Sequence, residues 1–127
     1  MKVGFIGFGE AGSILAAGLL KAGVHSVSAY DSDPAFAART SQTGIKPCAS
    51  FKDLAENSEF IFSTVVTTAA LSVAEDVAPY LKSTHCYLDL NSTSPDEKLM
   101  IAETINASGA DFVEAAVMAS VGPLGIK

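Results

Sequence analysis

The sequence predicts an open α/β sheet, mainly parallel and doubly wound, with helices on both faces. Three observations lead there. Short apolar runs alternate with segments of helical period along the chain, the pattern of strands joined by helical crossovers. The first run, Lys2-Val3-Gly4-Phe5-Ile6, opens directly into Gly7-Phe8-Gly9-Glu10-Ala11-Gly12 and then into an apolar helical stretch. That order of strand, GxGxxG and helix separates a phosphate-binding turn from a chance cluster of glycines. Finally, Asp31 ends the next apolar run about 20 residues past the last glycine, where a doubly wound nucleotide fold carries a ribose-binding carboxylate.

Taken in order, the first strand spans about 2–6 and the first helix about 10–22, stopped by Gly23 in a left-handed cap. Val24 to Tyr30 reads as the second strand. Ser32-Asp33-Pro34 supplies a cap and a proline for a second helix running to about Ser41, ended by Gly44. Ile45 to Cys48 can form only a short third strand, because Pro47 has no N–H for a ladder. Ser50-Phe51-Lys52-Asp53 opens a short helix to about Glu56 as a capping box. Phe60 to Val66 is apolar on both faces, as a buried parallel strand must be. A helix over about 69–78 stops near Pro79, and Cys86 to Leu90 is a fifth strand. Ser94-Pro95-Asp96-Glu97 opens a helix to about Ala107, and Phe112 to Val117 is a sixth strand. Right-handed crossovers then give the order 3-2-1-4-5-6.

Composition narrows the function. The chain of 127 residues is 49% hydrophobic and 17% charged, enough for one core-rich domain. A net charge of −6, with eight scattered basic residues, excludes an electrostatic footprint for nucleic acid. The apolar run Ile14 to Leu20 is far short of the roughly 18 residues a membrane span needs. Glycines through the first two dozen residues, with the early Glu10, fit a nucleotide loop better than a secretory signal. Cys48 and Cys86 are isolated, with no CxxC and no neighbouring His pair, so they read as free thiols in a reducing cytoplasm and not as a metal site.

Each glycine of the loop has its own task. Gly7 allows the tight turn, Gly9 lets backbone approach a pyrophosphate, and Gly12 lets helix and strand pack closely. The phosphates would rest on N–H groups at the positive end of the helix. Asp31 would accept the ribose hydroxyls of the adenosine half and repel a 2′-phosphate, which favours NAD over NADP. Glu10, uncomfortable beside an anion, is expected to face solvent. Thr67 and Thr68, after the fourth strand, and Asn91 to Ser94, after the fifth, should border the crevice at the carboxyl ends of the strands. The threonine hydroxyls are equally at home as helix caps, and Ser94 with Glu97 forms a capping box. Asn91, Ser92 and Thr93 have no such structural duty and could hold a hydroxyl or carboxylate. His25 and His85, with no nucleophile beside them, are expected on the surface.

Val3 to Gly9, Asp89 to Pro95 and Gly109 to Ala115, in that order, resemble the N-terminal domain of the β-hydroxyacid dehydrogenases, the family of 3-hydroxyisobutyrate and 6-phosphogluconate dehydrogenases. The likeness covers essentially the whole chain. It implies a Rossmann fold and hydride transfer between NAD or NADP and a 3-hydroxy acid. The residues expected to bind cofactor are Gly7, Phe8, Gly9, Glu10, Ala11, Gly12, Asp31, Ser32, Val66, Thr67, Asn91 and Thr93. Asn91 and Ser92 are expected to position substrate. Two departures stand out. The family's aspartate-x-serine-threonine run becomes Asp89-Leu90-Asn91-Ser92, and its serine-glycine-glycine after the sixth strand becomes Met118-Ala119-Ser120 with Gly122 following. Family members continue into a helical domain that supplies the catalytic lysine and much of a dimer interface. Residues 1–127 are therefore expected to form one dinucleotide-binding domain that binds NAD without turnover, with a homo-oligomer expected of the full-length protein. The alternatives are a nucleotide-sensing module without chemistry, or a reductase of pyrroline-carboxylate or prephenate type. The Asp89–Pro95 motif speaks against the second.

Overall fold

The computed structural model describes residues 1–114 other than His25, Pro34, Ser41 and Gln42, and describes Glu10, Ala11, Ala37 and Arg39 through their backbone alone. Among these residues six strands form one sheet: β1 (Lys2–Ile6), β2 (Ser26–Tyr30), β3 (Lys46–Pro47), β4 (Phe60–Ser63), β5 (Cys86–Asp89) and β6 (Asp111–Glu114). Every pairing is parallel, and the order is β3-β2-β1-β4-β5-β6. This is the doubly wound arrangement read from the alternation, with the reversal of winding between β1 and β4. Among the described residues five helices cross between strands: α1 (Glu10–Lys21), α2 (Phe36–Thr40), α3 (Phe51–Glu56), α4 (Ala70–Val77) and α5 (Pro95–Ala107).

Side chains alternating along β1 divide the core in two. Val3 and Phe5 join Val27, Ala29 and Phe62 under Ala16 of α1 and Phe36 of α2. Ile6, with Ile61 and Tyr87, packs under Leu54 of α3, Ala74 and Val77 of α4, and Ile101 and Ile105 of α5. Gly4 sits on that second face. A Cβ there would run into the Ser58 hydroxyl and come within 2.9 Å of Leu54 Cδ1, so its lack of a side chain is what lets α3 lie close on β1.

Several boundaries differ from the sequence reading, each for a definable reason. β2 begins at Ser26 because Val24 is used to close α1. Gly23 has φ +101 and donates to Leu20 O at 3.1 Å, while Val24 N donates to Leu19 O at 3.0 Å. That is a Schellman cap. β4 ends at Ser63 and not at Val66. Thr64 N still donates to Ile6 O, but Val65 N is captured by the Asn91 side chain, so the ladder stops there. The α4 segment opens as a 3₁₀ turn at Thr67–Ala69 and closes as another at Ala78–Tyr80, which contains Pro79. The second helix is shorter than expected at Phe36–Thr40, with Asp33 Oδ1 accepting from Ala35 N ahead of it. β6 starts one residue early at Asp111, and its expected continuation over 115–117 lies outside the described residues.

His85 also departs from expectation. It is 7% exposed, with Nδ1 accepting from Lys82 N and Nε2 facing Ala55 O, each at 2.8 Å. The ring is the tie that closes the turn before β5 against α3, a role invisible without knowing that α3 lies alongside. His25 lies outside the described residues.

Candidate functional site

The three loop glycines meet three different surroundings. Gly7, at φ +87, lies so near the end of β4 that a Cβ would come within 2.5 Å of Thr64 O. Gly12 faces the same strand junction, where a Cβ would be 2.6 Å from Gly7 O and 2.8 Å from Thr64 Oγ1. Thr64 Oγ1 in turn donates to Gly7 O at 2.7 Å, so the loop is pinned to β4 from both sides. At Gly9 a Cβ would meet nothing within 4 Å. The open side of the loop is therefore at its middle glycine, where backbone can approach a ligand. Gly9 is also the N-cap of α1, and no side chain caps that end. The first-turn N–H groups of a 12-residue helix thus face outward with the positive end of its dipole, which fits a pyrophosphate.

Asp31 follows β2 and is fixed from two sides. Its Oδ2 accepts from Phe8 N at 2.7 Å, and its Oδ1 accepts from Asp33 N at 2.9 Å. Phe8 is thereby a support: its side chain is buried among the residues of the α1 face while its N–H holds the carboxylate. Beside Asp31 lies a narrow cavity of about 70 Å³ lined by Gly7, Tyr30, Asp31, Ser32, Phe51 and Val65 among others. Tyr30 and Phe51 stand with ring centroids 4.7 Å apart at 52°, giving the slot an aromatic wall. Its apolar lining suits contact with an aromatic ring, with Asp31 placed for an attached sugar. Tyr30, Phe51, Val65 and Val73 were not singled out from the sequence. The one available signal was the aromatic ending of the β2 run beside Asp31.

The loops after β4 and β5 come together at the same end of the sheet. Val66 is 70% exposed, and Thr67 and Thr68 are exposed in the 3₁₀ turn that follows. Ser92 is exposed and Thr93 half-buried ahead of Ser94. Ser94 caps α5 as expected, accepting from Glu97 N at 3.2 Å. Asn91 corrects the sequence reading, which gave it no structural duty. It is 5% exposed; its Oδ1 accepts from Val65 N at 2.9 Å and its Nδ2 donates to Ser63 Oγ at 3.0 Å. Its backbone N–H donates to Asp89 Oδ1 at 2.8 Å. Asn91 is thus a clamp between the two loops, and Ser92 is the exposed neighbour beside it. Beneath them, burial pushes the Tyr87 phenol well above its usual range, and the charge of Asp89 adds to the shift. It stays protonated at neutral pH and offers no base. Glu10 and Ala11 stand in the first turn of α1, and Met118 to Gly122 lie outside the described residues.

Among the described residues there is no group of three or more His, Cys, Asp or Glu that could hold a metal ion. No described helix is long and apolar enough to cross a membrane. Cys48 and Cys86 are free thiols, the first buried and the second half-buried.

Comparison with known proteins agrees with this geometry. The chain is 28% identical over 122 residues to a mitochondrial 3-hydroxyisobutyrate dehydrogenase of Drosophila melanogaster, covering 94% of this chain and 37% of that protein. It is 31% identical over 121 residues to 2-(hydroxymethyl)glutarate dehydrogenase of Eubacterium barkeri, covering 92% and 40%. A solved structure of a conserved hypothetical protein from Sinorhizobium meliloti 1021 superposes with a TM-score of 0.78 at 34% identity, covering 90% of this chain and 40% of that one. The chain therefore spans about 40% of the length of the proteins it resembles. The family model describing the NAD binding domain of 6-phosphogluconate dehydrogenase matches residues 2–123, so this chain belongs to that family.

Proposed function

We propose that this chain is the cofactor-binding part of a dehydrogenase that moves hydride between NAD and a 3-hydroxy acid. The observation that carries the reading is the contrast within the glycine loop: two glycines closed in by the β4 junction and one, Gly9, open at an uncapped helix end. In this reading the N–H groups of Glu10, Ala11 and Gly12 receive the pyrophosphate, and Asp31 with Ser32 receives the adenosine ribose. Val66, Thr67, Asn91 and Thr93 border the nicotinamide half. Ser92, beside the Asn91 clamp, orients the substrate. The dinucleotide supplies the hydride acceptor. The protein's task is to hold the substrate hydroxyl against it and to provide a base.

Residues 1–127 act in this proposal as one binding domain, with the base, a lysine, contributed from a helical domain beyond them. Lys82, the turn lysine before β5, is at the far end of the sheet, in the loop closed by His85. The 127-residue chain alone should therefore bind NAD yet produce no NADH from a panel of 3-hydroxy acids; robust turnover would contradict the assignment. The full-length protein is assigned as a homo-oligomer of the cytoplasm, the free thiols supporting a reducing compartment.

Preference for NAD over NADP follows from the held carboxylate. With Oδ1 and Oδ2 fixed by Asp33 N and Phe8 N, Asp31 cannot swing away from a 2′-phosphate. Calorimetric titration should show NAD binding about tenfold more tightly than NADP, equivalent to about 1.4 kcal/mol. Asp31→Asn should narrow that gap. Equal affinities in the unmodified chain would remove the basis for the preference.

A further inference from the structure

We propose that Lys98 is a positioning residue for the nicotinamide half of the site, a role that rests on the dinucleotide reading above. Its ammonium lies 3.2 Å from Asp89 Oδ1 and 3.4 Å from Glu114 Oε1. The two carboxylates are register partners at the ends of β5 and β6, so one cation on α5 ties both strand ends. The link continues to a third strand. Asp89 Oδ1 holds Asn91 N, and the Asn91 side chain holds Ser63 Oγ and Val65 N at the end of β4. The loops assigned to the cofactor, after β4 and β5, are thus set against each other through Asn91, Asp89 and Lys98.

Burial gives this chain of contacts its force. Asp89 is 1% exposed, and the Lys98 side chain is 14% exposed. A charge that deep is costly without a partner, and removing the cation leaves an uncompensated buried charge. An uncompensated Asp89 would turn toward water, and that change loosens its hold on Asn91 N. The stability of α5 does not account for Lys98 being where it is. That helix is anchored by Ile101 and Ile105, both fully buried. A lysine near the start of a helix also opposes the helix dipole.

The test compares two ligands on the same chain. NADH spans both halves of the site, whereas ADP fills only the glycine loop and the half around Asp31. Lys98→Met should weaken NADH about tenfold and leave ADP unchanged to within about twofold. Weakening of both ligands alike, or of neither, would overturn the role and leave the dinucleotide reading standing. An unmodified chain that binds neither ligand would overturn that reading and this role with it. The double variant Lys98→Met with Asp89→Asn covers the case in which the single variant does not fold. It buries no unpaired charge and keeps an oxygen for Asn91 N, so NADH affinity should return to within about threefold of the unmodified chain. A double variant that folds and still loses about tenfold or more in NADH affinity alone would contradict the proposed linkage.

Discussion

Gly9→Val is expected to fold as the unmodified chain does and to lose dinucleotide affinity by about 100-fold or more, the equivalent of roughly 3 kcal/mol of steric conflict. The argument lies in what surrounds that one position. A Cβ on Gly9 meets no protein atom within 4 Å, and its φ of −80 is open to any residue. The first atom of a side chain there therefore enters open space. The space it would occupy is the approach to the N–H groups of α1, which a pyrophosphate needs. Thermal melting and a fluorescence titration with NADH separate the two effects. Normal affinity with a lowered melting temperature would mean that the glycine serves the fold only.

Gly7→Ala should do the reverse, with stability as the main loss. At φ +87 an alanine is strained by about 1–2 kcal/mol. Its Cβ would also lie 2.5 Å from Thr64 O and 2.9 Å from Val65 Cγ1. Thr64 cannot yield easily, because its N–H is in the ladder with Ile6 O and its hydroxyl donates to Gly7 O. Forcing the β1 and β4 ends apart adds about 1–3 kcal/mol. Together these should lower the melting temperature by roughly 10 °C. An unchanged melt would show that the loop has slack that the close Gly7–Thr64 approach denies.

These two glycines also show how far the sequence could be read. The loop, Asp31 and the strand order were legible because each depends on local chemistry: a missing Cβ, a carboxylate ending a strand, apolar runs alternating with helical ones. What was not legible came from residues far apart in the chain. The aromatic wall of the slot joins Tyr30 of β2 to Phe51 of α3. The early end of β4 comes from Asn91 taking the N–H of Val65; hydrophobicity continues through Val66 and carries no trace of it. Asn91 read as a binding residue without a structural duty because its side-chain partners, Ser63 and Val65, lie at the end of β4. His85 read as a surface residue for the same reason, its second partner being Ala55 of α3. Gly4 gave no sign of its role either, since Leu54 and Ser58 approach it only in the folded chain.

The most direct measurement of the central claim is a ¹H–¹⁵N NMR titration of the chain with NADH. The account predicts saturable shifts concentrated at the amides of Gly7 to Gly12, at Asp31 and Ser32, and at Val65 to Thr67 with Asn91 to Thr93. Amides at the opposite end of the sheet, around Lys82 and His85, should stay in place. Shifts confined to that opposite end, or none at millimolar NADH, would contradict it.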